Sequence, residues 1–329
     1  MKQSILYNIL LMALFAFLAN SFVYFGFGNI YSSKIFNHAD FLKQFNTGIY
    51  QYRVLSGQLL LHIYDILDGL NINYDVFKLK FYEQRAEAQM YIALYLLNTF
   101  FAVLTAVGLG TILHSSFVKG SHHEKLTIGL LVVAVTTLTQ FVIVPYDYSS
   151  YFFILLFAGV FLLHLKRATT ATWITLAAIV VLSTLNRESS ALSLSMAGAL
   201  LVQYFGWSKK TFLTVGVLAG CYIATYIILR LTGNSNFTTN DGNLFYENMT
   251  QPKNWLGAMF AVLLFLVTLK LSTSKENIKL ILLFHALAIP YIAMCLYSGI
   301  LYEVRLYIPL FLTSVLLGKL DTKTINSNI

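Results

Sequence analysis
The sequence predicts an all-α fold: a polytopic integral membrane helical bundle of about ten transmembrane helices, with residues 1–329 forming a single transmembrane domain. Three observations carry this. Hydrophobic residues make up 57% of the chain and charged residues only 11%, against about 25% charged in an ordinary soluble domain. Apolar runs of spanning length recur along the sequence, and the loop lysines fall on one side of the alternation they create. Ten spans of about 20 residues take up roughly 200 positions, which leaves no room for a separate soluble domain. The balance of 22 Lys+Arg against 14 Asp+Glu gives a net charge of +8. In a membrane chain, loop asymmetry and anionic lipid account for such a surplus, so nucleic acid is not an expected partner. Cys221 and Cys295 both lie in apolar runs, which excludes a disulfide framework and a cysteine metal site.

The first run, Ile5 to Phe27, follows a single Lys2; it is too long for a signal-peptide core and no small-x-small cleavage site ends it. It reads as a retained first span. Residues 29–88 form a polar stretch expected to be a structured first extracytoplasmic loop, because a connection of that length without secondary structure is unusual. Within it Leu55, Leu59, Ile63, Ile66, Leu67 and Leu70 recur at helical spacing, which predicts a helix lying in the membrane interface, and Gly69, Asn71 and Asn73 then mark a turn. Nine further runs follow at 89–113, 126–144, 149–165, 170–185, 190–207, 211–231, 255–270, 278–298 and 304–318. The pair 170–185 and 190–207 is short enough for a helix break below the membrane surface. The segment 231–254, rich in Gly, Asn and Thr, reads as a mobile extracytoplasmic loop; its sequons at Asn236 and Asn248 are of a kind that Asn-rich loops produce by chance.

Charge tests the count. With a cytoplasmic N-terminus, the inner gaps collect Lys2, Lys119, Lys125, Lys166, Arg167, Lys209, Lys210, Lys270, Lys275, Lys279, Lys319 and Lys323, whereas the short outer gaps hold only Arg187, Arg230, Lys253 and Arg305. Losing one span puts Lys209, Lys210 and Lys270 on the wrong side, so ten spans with both termini inside is the consistent topology.

The arginines sort the other way. Of six in the chain, Arg53, Arg85, Arg187, Arg230 and Arg305 fall outside. A guanidinium offers a planar fork matched to phosphate or carboxylate and stays charged when buried, which makes this set a candidate anion site. The bland alternative is local pairing with Glu83, Glu188 and Glu303. Asn186-Arg187-Glu188-Ser189-Ser190 and Tyr302-Glu303-Val304-Arg305 each place a charge pair at or below the same surface, where ionisable groups usually face an interior cavity. Two acids lie on that side as well. Asp40, in Asn37-His38-Ala39-Asp40, can serve as a general base toward an acceptor. Asp147, in Pro145-Tyr146-Asp147-Tyr148, can orient an acceptor or bind a metal, or simply cap the following helix. Tyr50, Tyr52, Tyr146, Tyr148, Tyr151, Tyr246 and Tyr302 share this side, compatible with sugar stacking and equally with an interfacial belt. No histidine spacing suits a metal, and there is no P-loop, nucleotide fingerprint or GxSxG.

This arrangement resembles the GT-C superfamily of polytopic polyprenyl-phosphate-sugar-dependent glycosyltransferases: an N-in first span, a long structured first outer loop with interfacial helices, a short second outer loop, and an acid in each. The resemblance is architectural and covers most of the chain. It implies transfer of a sugar from an undecaprenyl- or dolichyl-phosphate-linked donor to a glycan, lipid or protein acceptor, on the extracytoplasmic face of what would be a bacterial plasma membrane. Cell-envelope polysaccharide biosynthesis is the corresponding setting. Carried over by position, Asp40 becomes the catalytic base; Arg187, Arg305 and Arg53 hold the donor phosphate; Glu188, Glu303, Asp147, His38 and Tyr148 support them. Many family members have paired acids in the first loop, and here Asp40 stands alone, with His38 two residues before it. A divalent metal such as Mg or Mn is conceivable in the family, but no motif supports one here. The alternatives are a polysaccharide polymerase or ligase acting on diphosphate-linked glycans, whose main polar loop usually comes late in the chain, and a lipid-linked-sugar flippase or transporter, which calls for repeats and midplane charges that this chain lacks apart from His285.

Overall fold
A computed structural model describes residues 2–27, 34–70, 72–76, 79, 84–233 and 243–322. Among these the protein is all-helical, and the one extended pairing is an antiparallel bridge between Val118 and Leu320. In chain order the helices are α1 (Lys2–Gly26), α2 (His38–Phe45), α3 (Val54–Gly69), α4 (Ala88–Leu113), α5 (His122–Leu138), α6 (Asp147–Lys166), α7 (Thr170–Asn186), α8 (Ala191–Phe205), α9 (Lys209–Thr232), α10 (Phe245–Thr250), α11 (Pro252–Leu271), α12 (Lys275–Leu287), α13 (Ile289–Ser298) and α14 (Ile308–Lys319). Side-chain caps open many of them, as the sequence chemistry requires. Asn37, Ser121, Thr169, Ser208 and Ser274 each accept a hydrogen bond from the backbone N–H three residues on, and Thr169 completes a capping box with Thr172.

Every apolar run of the sequence contains helix, but not every helix has spanning length. Five are long and apolar enough to cross a membrane, α1, α4, α6, α9 and α11, and a sixth is obtained if α12 and α13 count as one span bent by 52°. The run at 278–298 breaks because Pro290 sits in the first turn of α13, where its ring cannot donate to, and clashes with, the carbonyl four residues back. The helix over the run at 126–144 ends at Leu138, well short of Pro145. Helices α5 and α7 have 17 residues, α8 has 15 and α14 has 12. At about 1.5 Å per residue, α14 covers roughly 18 Å of a hydrocarbon layer about 30 Å thick.

Packing explains how so short a helix is stable. Every residue of α14 from Ile308 to Lys319 is buried; it packs against α6, α8, α11 and α12, so its all-round apolar surface meets protein. α6 lies against α4, α7, α8 and α14, and α1 closes over α4 and α5. By contrast α9 and α11 are only 22% buried along their most apolar windows and turn broad apolar faces outward, as expected of surfaces that meet lipid. At one end of the bundle the last turn of α14 is tied down. Lys319 Nζ donates to Glu124 Oε1 at 2.7 Å, Asn277 Nδ2 donates to Leu317 O and Leu320 O, and Asp321 N donates to Phe117 O at 2.7 Å.

The segment between α1 and α4 carries structure wherever it is described. α2 and a 3-10 turn at Gly48–Tyr52 lead into α3, which packs on α4 and α7 and leaves Leu59, Ile66 and Leu70 exposed, the amphipathic helix the spacing predicts. Asn71 and Glu83 lie outside the described residues. The segment 231–254 differs from the loop expected of its composition. α9 continues to Thr232 and α10 occupies 245–250; Asn236 lies outside the described residues. Asn248 is 1% exposed; its Nδ2 donates to Leu296 O and Gly299 O, and its Oδ1 accepts from Leu301 N. A side chain that saturates three backbone groups is a structural staple, and its sequon is sterically closed to glycosylation.

Candidate functional site
The charged residues singled out in the sequence gather where α6 begins and α7 ends. Asp147 is the first residue of α6 and is fully buried; the cap position belongs to Tyr146, so Asp147 does not act as the helix cap. Its two carboxylate oxygens are divided between two arginines: Oδ1 pairs with Arg187 Nη1 and Oδ2 accepts from Arg305 Nη1 at 2.8 Å. These partners lie 40 and 158 residues away in sequence. Arg187 sits in extended backbone between α7 and a 3-10 turn at Glu188–Ser190, and Arg305 on a 3-10 turn at Val304–Tyr307 before α14. Breaks in the helices free these positions from regular helical geometry.

Pairing within each motif is mixed. Arg305 Nη2 does bond to its near neighbour Glu303. Glu188 does not pair with adjacent Arg187; it accepts from Nε and Nη2 of Arg53, at 3.2 and 3.1 Å. Arg53 joins the Gly48–Tyr52 turn to α3, and its guanidinium lies 5.3 and 5.2 Å from the ring centroids of Tyr50 and Tyr146, a cation–π environment suited to a partly dry charge. Arg53, Arg187 and Arg305 against Asp147, Glu188 and Glu303 give three positive and three negative charges.

Hydrogen bonds hold the frame. Asn186, fully buried, donates from Nδ2 to Tyr146 O at 3.1 Å, and its Oδ1 lies within hydrogen-bond reach of the Ser56 and Ser149 hydroxyls, joining α3, α6 and α7. Ser150 and Ser189 hydroxyls meet at 2.6 Å. The turn bearing Arg305 is held by two buried phenols: Tyr151 OH donates to Arg305 O at 3.0 Å, itself accepting from Gln140 Nε2, and Tyr291 OH donates to Leu306 O at 2.9 Å. Gln140 and Tyr291 carry no motif, and nothing in the sequence marked them.

Two buried donors of the cluster have no hydrogen-bond partner among the described residues, Arg305 Nε and the Tyr146 hydroxyl. Native proteins leave few such groups unsatisfied. Burial lowers the Arg187 pKa to about 10, with Arg53 adding to the effect, so Arg187 remains a cation at neutral pH. For Glu188, burial acts upward, but the combined pull of Arg53, backbone hydrogen bonding and Arg187 outweighs it and leaves the carboxyl below its ordinary value.

Asp40 and His38 have other neighbours. Asp40 sits in the first turn of α2, pairs with Arg85 at 3.0 Å and receives no contact from Arg53, Arg187 or Arg305 among the described residues. His38 stacks on Tyr64 with ring centroids 4.2 Å apart, and Tyr64 OH donates to Glu87. Tyr148 is buried edge-on against Tyr151. Thus the structure joins Arg53, Asp147, Arg187, Glu188, Glu303 and Arg305 and sets Asp40 and His38 in a separate cluster. No group of three or more His, Cys, Asp or Glu suited to a metal occurs among the described residues.

What the fold defines is an all-helical, multi-pass membrane type of protein with five to six candidate spans around a buried ionic cluster. No protein-family model, curated protein or solved structure matches the chain.

Proposed function
We propose that the protein is a membrane glycosyltransferase that moves a sugar from a polyprenyl-phosphate-linked donor to a glycan, lipid or protein acceptor. In this reading the apolar runs make ten spans, with both termini in the cytoplasm and the ionic cluster at the extracytoplasmic face. The observation that carries it is the convergence of Arg187 and Arg305, from opposite parts of the chain, on a single buried carboxylate, with Arg305 Nε and the Tyr146 hydroxyl left as buried donors without acceptors. A phosphate oxygen is the acceptor such donors suit. When the donor's anomeric carbon–oxygen bond breaks, the departing phosphate gains charge that preorganised guanidinium groups stabilise. The acceptor oxygen forms the new bond to that carbon as the phosphate leaves and its proton passes to Asp40, a step that requires Asp40 to be brought to the cluster from its separate position beside Arg85.

The test is transfer of label from a lipid-linked sugar in membranes. Removing a general base costs about 10²–10⁴-fold, so Asp40→Asn should lose transfer by that factor while the protein stays folded, since Asp40 is partly exposed. Arg305→Lys keeps the charge and loses the fork, and should also depress transfer. Full transfer in both variants would remove the reading.

A second reading has its own support: the six charges sum to zero, which is the composition of a self-contained structural clamp. It requires that Asp40→Asn and Arg305→Lys change stability only.

A further inference from the structure
A cavity of about 190 Å³, lined by no residue of the ionic cluster, lies between α11, the bent α12–α13 pair and α14, and its lining is mainly apolar. Three of its walls matter: Val262, His285 and Tyr307. Its size exceeds the roughly 150 Å³ of an engineered apolar cavity that stays dry and takes up benzene, so a lone water does not fill it.

One side chain of this otherwise apolar lining carries a polar atom free to meet a ligand. His285 Nδ1 lies 3.0 Å from Ile281 O. A carbonyl only accepts, so Nδ1 carries the proton and Nε2 of the neutral ring offers a lone pair. The other polar side chains of the lining are spoken for or closed off: the Thr268 and Tyr307 hydroxyls donate to Phe265 O and Leu301 O, and the Ser314 hydroxyl is fully buried. The cavity therefore presents one acceptor, His285 Nε2, among hydrocarbon walls. Its opening is apolar as well: Val262 is 57% exposed and continues into Met259, Leu263 and Leu266 on the outward face of α11. Solutes that arrive across that surface come from lipid.

We infer that this cavity binds a membrane-dissolved long-chain alcohol, its hydroxyl donating to His285 Nε2 and its chain leaving past Val262. A free fatty acid is disfavoured because no cation lines the cavity to offset a buried carboxylate. A pure hydrocarbon leaves His285 Nε2 without a donor. The site does not depend on the glycosyl-transfer reading, since none of the charged cluster lines it.

The experiment uses the full chain in lipid nanodiscs and a hexadecyl alcohol bearing a mid-chain diazirine. Photolabelling should concentrate on the lining residues, be competed by unlabelled alcohol, and fall about two- to tenfold in His285→Phe, which keeps a ring and removes the acceptor, the range of one net hydrogen bond. Ala261→Phe, which fills the cavity from α11, should abolish the competed fraction, with unfolding followed in parallel to show that each variant is folded. Label spread evenly over the outward faces of α1, α9 and α11, or competed labelling unchanged in folded His285→Phe and Ala261→Phe, would overturn the assignment.

Discussion
Replacing Asp147 by Asn tests the cluster most directly. The substitution keeps shape and removes one charge from a residue with no exposed surface, leaving Arg187 and Arg305 facing a neutral amide. The six-membered set then carries a net charge of +1 inside the protein. Breaking a buried pair by removing one partner costs about 3–5 kcal/mol, because the remaining charge is stranded away from water. Asp147→Asn strands Arg187 while Arg305 keeps Glu303, so that range is expected, a shift of roughly two to three orders of magnitude in the folding equilibrium at about 1.4 kcal/mol per tenfold. Equilibrium unfolding of the purified protein in mixed micelles, followed by tryptophan fluorescence, reads this out. The double variant Asp147→Asn with Arg187→Met restores neutrality and should recover part of the loss. If Asp147→Asn unfolds within about 1 kcal/mol of the parent protein, a typical value for an exposed pair, the buried clamp does not exist as described.

Other consequences are equally specific. A Cβ added at Gly257 falls 1.8 Å from Leu301 O, a backbone atom that cannot swing aside, so Gly257→Ala must push the turn leading to Glu303 and Arg305; the expected cost is about 1–3 kcal/mol, measured by the same unfolding assay. Asn248→Ala leaves three buried backbone groups without their partner and should destabilise by about 1–3 kcal/mol or more, whereas expression in a glycosylating host should give no mass shift attributable to Asn248. The Glu188 carboxyl is held below its ordinary value in the folded state. Its contribution is therefore complete above the unfolded value of about 4.3 and disappears as pH falls through the lower folded value. A stability profile between neutrality and acid should lose part of its acid limb in Arg53→Met; an unchanged limb would refute the coupling.

How much of this could be read from the sequence depends on the range of the interaction involved. Helix existence and many of the boundaries followed from the apolar runs, which are local. Spanning length did not follow, because α14 reads as an apolar stretch like any other; that protein rather than lipid surrounds it is fixed by helices far away in sequence. The segregation of arginines singled out Arg53, Arg187 and Arg305, which the structure brings into one ionic cluster, but it did not give their partners. Proximity in sequence suggested Arg187 with Glu188, while the extended backbone at Arg187 sends its side chain toward Asp147 and leaves Glu188 to Arg53. Asp40 was chosen by its position in a loop, and sequence position alone does not report that its neighbours are Arg85 and Asn37.

The order in which the cluster can form follows from where its members lie along the chain. Synthesis delivers Asp147 first, Arg187 40 residues later, and Arg305 only 158 residues after Asp147. From the emergence of Arg187 until that of Arg305 the carboxylate has one of its two arginine partners, and α6 has no α14 to lie against. The last helix is thus the element that completes both the hydrophobic centre and the charge balance. A ribosome stalled before α14 emerges would present a chain whose helices are inserted but whose centre is open, a species that membrane quality control could distinguish from the finished protein by one unpaired half of a carboxylate.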